Sequence, residues 1–161
     1  MSSLEVEGYV DAPIERVWTF HSSVEGLEAL TPGIMGLEVR EVRDAGGRRI
    51  QRFEELDVGY TIDMRLSPLG LWPSFDWTAR ITGKQENRGS AWFEDEMVEG
   101  PFESWRHRHV FTSEGGGTRV RDEVEYELPR WFFLGRGSSL VEPQMKLVFR
   151  GRHRLLRRML E

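Results

Sequence analysis

The sequence predicts an α+β fold in which a curved antiparallel β-sheet wraps around a long C-terminal α-helix, with two short helices after the first strand. Three observations predict it. From Met35 to Tyr126, short runs of period-two alternation follow one another with turn residues between them. The connections are short, which makes neighbouring strands antiparallel. From about Ser138 to Leu160 the apolar spacing changes to three and four, the period of a helix. At 161 residues the chain reads as a single domain, 1–161, large enough to bury a core without metals or disulfides.

The first strand, Leu4–Val10, alternates Leu4, Val6, Gly8 and Val10. Asp11-Ala12-Pro13 reads as a helix start, with Asp11 as cap and Pro13 where a missing N–H costs nothing. The helix, roughly Pro13 to His21, carries Val17, Trp18 and Phe20. A second, Val24 to Leu30, aligns Val24, Leu27 and Leu30 before Thr31-Pro32-Gly33 stops it. The strands expected next are Met35–Arg43, Arg48–Leu56, Tyr60–Leu66, Phe75–Thr82, Ala91–Val98, Ser104–Ser113 and Thr118–Leu128. On the last helix Val141, Met145, Val148, Leu155 and Met159 form a stripe, widened by Leu140, Leu147, Leu156 and Leu160. Arg150, Arg152, His153, Arg154, Arg157 and Arg158 fill the other faces and read as a solvated basic surface beside the helix C-terminus; an anionic ligand or a partner surface is the alternative.

A net charge of −5 with 30% charged residues argues against nucleic acid as a partner. The absence of cysteine removes disulfide frameworks, zinc–cysteine sites and thiol catalysis. Met1 to Val10 lack a basic leader, and no stretch approaches the ~20 apolar residues of a membrane span. The expectation is a cytoplasmic protein, monomer or homodimer, with no stable membrane insertion and no cofactor.

The most informative stretch lies in the last two strands. Glu103, Trp105, His107, His109 and Phe111 share one face of a strand; Val120, Asp122, Val124 and Tyr126 share one face of the next. If Ser113 pairs with Thr118 across the Glu114–Gly117 loop, Phe111 faces Val120, His109 faces Asp122, His107 faces Val124 and Trp105 faces Tyr126. An acid and an imidazole then meet on the apolar face, where an unpaired polar group is costly. Alternation with Phe93 and Met97 turns Asp95 to the same side, and Phe75, Trp77, Ala79 and Ile81 form a further apolar face.

Several local patterns together resemble a known superfamily. They are Asp11-Ala12-Pro13-Ile14-Glu15-Arg16-Val17-Trp18, Leu27-Glu28-Ala29-Leu30-Thr31-Pro32 and Phe93-Glu94-Asp95. Further on come Gly100-Pro101-Phe102, Trp105-Arg106-His107-Arg108-His109 and Asp122-Glu123-Val124-Glu125-Tyr126-Glu127-Leu128-Pro129. Across nearly the whole chain the sequence resembles the START/Bet v 1-like helix-grip superfamily (SRPBCC), in its bacterial ligand-binding, polyketide cyclase/dehydrase-like branch. The resemblance implies a helix-grip fold with a cavity between sheet and C-terminal helix, and a small hydrophobic ligand that is aromatic, polyketide or isoprenoid-like. The ligand-binding residues expected are Phe75, Trp77, Phe93, Asp95, Met97, Trp105, His107, Phe111, Val124, Tyr126, Met145 and Val148.

Two further function classes stand beside a binding protein. One is a cyclase/dehydrase-like enzyme with His109 as general acid/base and Asp122 as its partner; the bland counterpart is a polar pair that ties two strands together. The other is a protein-interaction or regulatory module acting through the arginine-rich helix. His107 and His109 with Asp95 and Asp122 are metal-ligand types but lack a metal-motif spacing, so no metal is expected. The apolar loops 66–73 and 129–135 read as a lid, a dimer contact, a membrane or partner contact, or local packing, and Trp72 and Trp131 are expected at one open end of the sheet.

Overall fold

The computed structural model describes residues 1–161 except 53, 68–73 and 132–136, and except the side chains of 34 and 137–140. In chain order the elements are β1 (Ser2–Val10), α1 (Ile14–His21), α2 (Val24–Leu30), a 3-10 turn (Gly33–Met35), β2 (Glu38–Arg43) and β3 (Thr61–Leu66). β4 (Phe75–Asn87), β5 (Ser90–Glu99), β6 (Ser104–Glu114), β7 (Gly117–Glu127) and α3 (Gly137–Leu160) follow. The strands form one antiparallel, curved open sheet in the order β1-β7-β6-β5-β4-β3-β2. Consecutive in sequence, β1 and β2 therefore lie at opposite edges, and α1 and α2 bridge the distance between them.

The expected register of the last two strands is the observed one: Ser113 pairs with Thr118, Phe111 with Val120, His109 with Asp122, His107 with Val124 and Trp105 with Tyr126. The ladder extends one pair further, Glu114 with Gly117, around a two-residue turn. Gly115 and Gly116 both hold positive φ, 58° and 85°, as a tight hairpin of matching twist demands. Burial fixes that register, because a slip by one residue would expose Val120, Asp122, Val124 and Tyr126 together.

Three departures from the sequence reading have identifiable causes. Arg48–Leu56 is not a strand. On the outer edge of β2 it makes a single bridge, Arg43 with Arg49, where Ile50 N–H donates to Val42 O at 3.0 Å and Asp44 N–H to Arg48 O at 2.8 Å, and the pairing ends there. Leu56 is instead drawn across to α1, where its N–H donates to Ser22 O at 2.9 Å, and it joins a core of Val24, Val42, Ile62, Met64, Ala79 and Ile81. Asp11 does not cap α1. The cap position is Pro13, and Asp11 lies too far upstream for its side chain to reach the first free N–H groups.

The third departure concerns part of the α3 stripe. Met145 and Val148 face the cavity, Leu155 packs against the core and Leu156 and Leu160 are buried as expected, but Phe149 and His153 share the buried side, while Leu147 and Met159 are exposed. Phe149 packs with Leu4, Val6, Val124 and Tyr126; Leu156 and Leu160 pack with Val10, Val17, Trp18 and Phe111. His153 is thus removed from the expected basic face, and Arg152 beside it turns inward as well. Of the two apolar loops, residues 68–73 and 132–136 lie outside the described residues, so the expected placement of Trp72 and Trp131 at one open end of the sheet does too; Trp131 is exposed.

Candidate ligand cavity and its polar wall

A cavity of about 290 Å³ lies between the sheet, α2 and α3. Strands β3 and β4 line it with Ile62, Met64, Phe75, Trp77, Ala79 and Ile81, and α3 closes it with Met145, Val148, Phe149 and Arg152. At one side three aromatic rings pack edge to face: Trp77 and Trp105 with centroids 5.1 Å apart, Trp77 and Phe102 at 5.7 Å. Such pairs add attraction beyond the area they bury and hold the wall in one shape.

The opposite wall is polar, and cross-strand register builds it. Asp95 on β5 pairs with His107 on β6, Phe93 with His109, and His109 with Asp122 on β7. The histidines then reach diagonally as well as straight across. His107 Nε2–H donates to Asp122 Oδ1 at 2.8 Å, and His109 Nε2–H to Asp95 Oδ2 at 3.2 Å. His109 Nδ1 lies 3.2 Å from Asp122 Oδ1. From α3, His153 Nε2–H donates to Asp122 Oδ2 at 2.5 Å. Asp122, 2% exposed, therefore meets three imidazoles and has both oxygens engaged. His153 reaches it only because β1 carries glycine at position 8: a Cβ there would stand 2.6 Å from His153 Nδ1.

These contacts assign charges. A neutral imidazole has one N–H, yet both nitrogens of His109 face carboxylate oxygens, which calls for the imidazolium. Burial opposes that charge, but the hydrogen bonds to Asp122 and Asp95 outweigh it and raise the His109 pKa. His107 goes the other way: burial, then the charge of His109, lower its pKa, so it stays neutral. Burial would raise the Asp122 pKa, but its three histidine partners hold it well below the usual carboxylate range. On α1, His21 Nδ1–H donates to Val17 O at 2.9 Å, and burial pushes its pKa down to about 3. His21 is thus a neutral ring whose Nε2 is left as an acceptor at the cavity wall.

Of the residues singled out from sequence, Phe75, Trp77, Phe93, Asp95, Trp105, His107, His109, Met145 and Val148 line the cavity. Asp122 sits behind the wall and reaches it through His107 and His109. Phe111, Val124 and Tyr126 are fully buried in the packed core, and Met97 is half-buried against Gly100. Sequence reasoning missed His21, Phe149, Arg152 and His153. A signal existed for Arg152: the helical series 141, 145, 148, 155, 159 skips 152, and an arginine occupies the gap. Asp95, His107 and His109 each offer one ligand atom within 4.8 Å of the others, the two-imidazole, one-carboxylate donor set that suits a divalent transition metal.

Residues 10–156 match the family described as "Polyketide cyclase / dehydrase and lipid transport", and the chain belongs to that family. Solved structures share its START/Bet v 1-like helix-grip fold. TTHA0849 from Thermus thermophilus has a TM-score of 0.64 at 21% identity, covering 96% of each chain. A START superfamily protein from Mycobacterium smegmatis has a TM-score of 0.68 at 13% identity, covering 98% of this chain and 96% of its own. Norcoclaurine synthase from Thalictrum flavum, in complex with dopamine and hydroxybenzaldehyde, has a TM-score of 0.59 at 18% identity over 96% of this chain and 86% of its own. At these identities the likeness is one of fold. No curated protein sequence matches the chain. Among the described residues no helix is long and apolar enough to cross a membrane.

Proposed function

We propose that the chain binds a small hydrophobic ligand, aromatic, polyketide or isoprenoid-like, in the cavity between the sheet and α3. The observation that carries this reading is the wall itself, an apolar enclosure of about 290 Å³ with its few polar groups gathered on one side. Pockets of this kind bury most of a small ligand and use the polar groups to orient it. Isothermal titration with 2-naphthalenemethanol tests the reading, with native mass spectrometry of fresh protein to identify a co-purifying molecule. The Ala79→Phe variant, which puts a ring into the cavity, should lose the naphthalene while keeping its circular dichroism spectrum. Binding that persists unchanged in that variant would place the ligand elsewhere.

One observation favours a second reading, catalysis on the bound ligand. The chain Asp122–His109–Asp95 ends at the cavity wall, where Asp95 is the more accessible acid, its side chain 19% exposed against 3% for Asp122. A charged imidazole beside an accessible carboxylate supplies a proton donor and a proton acceptor, as aldol-type cyclisation or dehydration requires. The α-protons of 2-acetylnaphthalene in D₂O report on this by NMR. Catalysis predicts faster exchange that Asp95→Asn abolishes; a bound ketone exchanging at the solvent rate would leave the pair a structural tie between strands.

A further inference from the structure

We propose that the cavity reads an acidic head group, with Arg152 as the anchor for a carboxylate carried by the hydrophobic ligand. The inference rests on the cavity-binding reading above and adds the chemical class of the ligand.

Arg152 lies on the cavity face of α3, half-buried, one turn from Val148 and Phe149. Other arginines of the chain are engaged: Arg16 donates to Leu160 O, Arg43 to Glu41, Arg108 to Glu94 and Arg119 to Glu114. Arg152 makes no hydrogen bond and no ion pair with any described residue. A guanidinium carries five N–H donors, and here none is spent on a described residue. Burial disfavours its charge, as the downward shift of its pKa records, and only the more distant charges of Asp122 and Asp95 act against that.

The acids of the wall are turned to the histidines, and neither forms an ion pair with Arg152. Both Asp122 oxygens and Asp95 Oδ2 are taken by histidines. His109, the other cation, is held between those two carboxylates, and His21 is neutral. Among the described residues Arg152 is therefore the cavity's cation with donors to spare. An unpaired buried charge is costly, and a carboxylate offers two acceptors matched to the guanidinium fork. A neutral ligand of the same shape would cover Arg152 without pairing it.

Three ligands of one skeleton test this at pH 7: 2-naphthoic acid, 2-naphthalenemethanol and 2-naphthylmethylamine, each titrated calorimetrically into the full chain. The acid should bind about tenfold or more tighter than the alcohol, the gain expected of a charge-assisted hydrogen bond. Arg152→Gln should reduce the acid to about the alcohol's affinity, a loss for the acid several-fold larger than any change for the alcohol, and Arg152→Lys should restore part of the difference. Equal binding of acid and alcohol to the native protein would overturn the proposal, as would the amine binding most tightly, which would make Asp95 the reader of the head group. Failure of all three to bind would overturn the cavity-binding reading itself. Should Arg152→Gln misfold, the alcohol is lost with the acid, and the comparison on the native protein still decides.

Discussion

Replacing Asp122 by asparagine strikes the point where β6, β7 and α3 are tied together. The carboxylate is 2% exposed and accepts from His107, His109 and His153. Asparagine keeps one carbonyl oxygen, enough for the two N–H groups that converge on Oδ1. It sets its NH₂ against His153 Nε2, which also bears a proton, so two donors meet in a buried contact. It also leaves the His109 imidazolium with Asp95 alone. Breaking a buried charged pair of this kind costs about 3–5 kcal/mol, or roughly 6–20 °C in Tm for a chain of this size. Thermal unfolding at pH 7 measures the loss, and ¹H NMR titration should find the His109 pKa lower than in the native protein. The sign of the pH dependence follows. Asp122 is held below its unfolded value, near 3.9, so its stabilisation is present above that value and fades as pH falls through the folded one. The gap between the two proteins should therefore persist at pH 5 and close only in stronger acid. His109, raised, stabilises fully below its unfolded value near 6.5 and less as pH climbs through its folded one, so the native protein's loss on that alkaline side should shrink in the variant. An unchanged His109 titration, or a Tm within about 1 °C of the native protein, would refute the network.

Three other predictions concern neighbouring groups. His21 titrates from 6.5 when unfolded to about 3 when folded, so its contribution holds above pH 6.5 and falls away toward pH 3, by about 5 kcal/mol at most. In urea titrations His21→Leu should flatten that acid limb by about 3 kcal/mol between pH 6.5 and 4; parallel curves would show that His21 is already solvated. Gly8→Ala drives a methyl group into His153 and should cost about 1–3 kcal/mol. Combined with His153→Ala it should cost less than the sum of the two, and strict additivity would mean that Gly8 and His153 do not touch. Phe111→Ala should cost about 3–5 kcal/mol with naphthalene affinity intact, because Phe111 is core. Phe75→Ala, at the cavity wall, should do the reverse, and the opposite ranking would exchange their roles.

What the sequence made legible was whatever repeats locally. Alternation defines β1 and β3 to β7 because each strand has one apolar face, and the Gly115-Gly116 turn pins the register of β6 against β7 without reference to the rest of the molecule. The same logic failed at Arg48–Leu56. Its few apolar positions suit a strand, but the segment stays on the outer edge of β2 only around Arg43 and Arg49 before Leu56 is drawn across to Ser22. The diagonal bonds of His107 and His109 were out of reach for a related reason. Pairing sums give the residue directly opposite, while the side-chain rotamers choose the diagonal one.

The helix shows most sharply where local pattern stops being sufficient. Hydrophobic periodicity locates α3, but its rotation is set by what it must cover. Two stripes compete, the series 141, 145, 148, 155, 159 and the series 149, 153, 156, 160, separated by about one residue of turn. Judged by apolar content the first wins, since the second contains His153. The sheet uses both: Met145 and Val148 of the first face the cavity, and the second is the more deeply buried. Asp122 faces inward with only two histidines of its own sheet to meet its two oxygens, and a third donor from α3 completes the set. Gly8 opens the gap through which that donor passes, and Phe149 and Leu156 bury on either side of it. Once His153 is fixed to Asp122, the residue before it must face the cavity, and that residue is Arg152. Position 152 also belongs to the first series, between 148 and 155, so α3 serves two sides at once: one packs His153 against the buried carboxylate, and the other turns Arg152, with Met145 and Val148, to the cavity. The polar core that fixes the helix therefore also holds a guanidinium at the cavity wall.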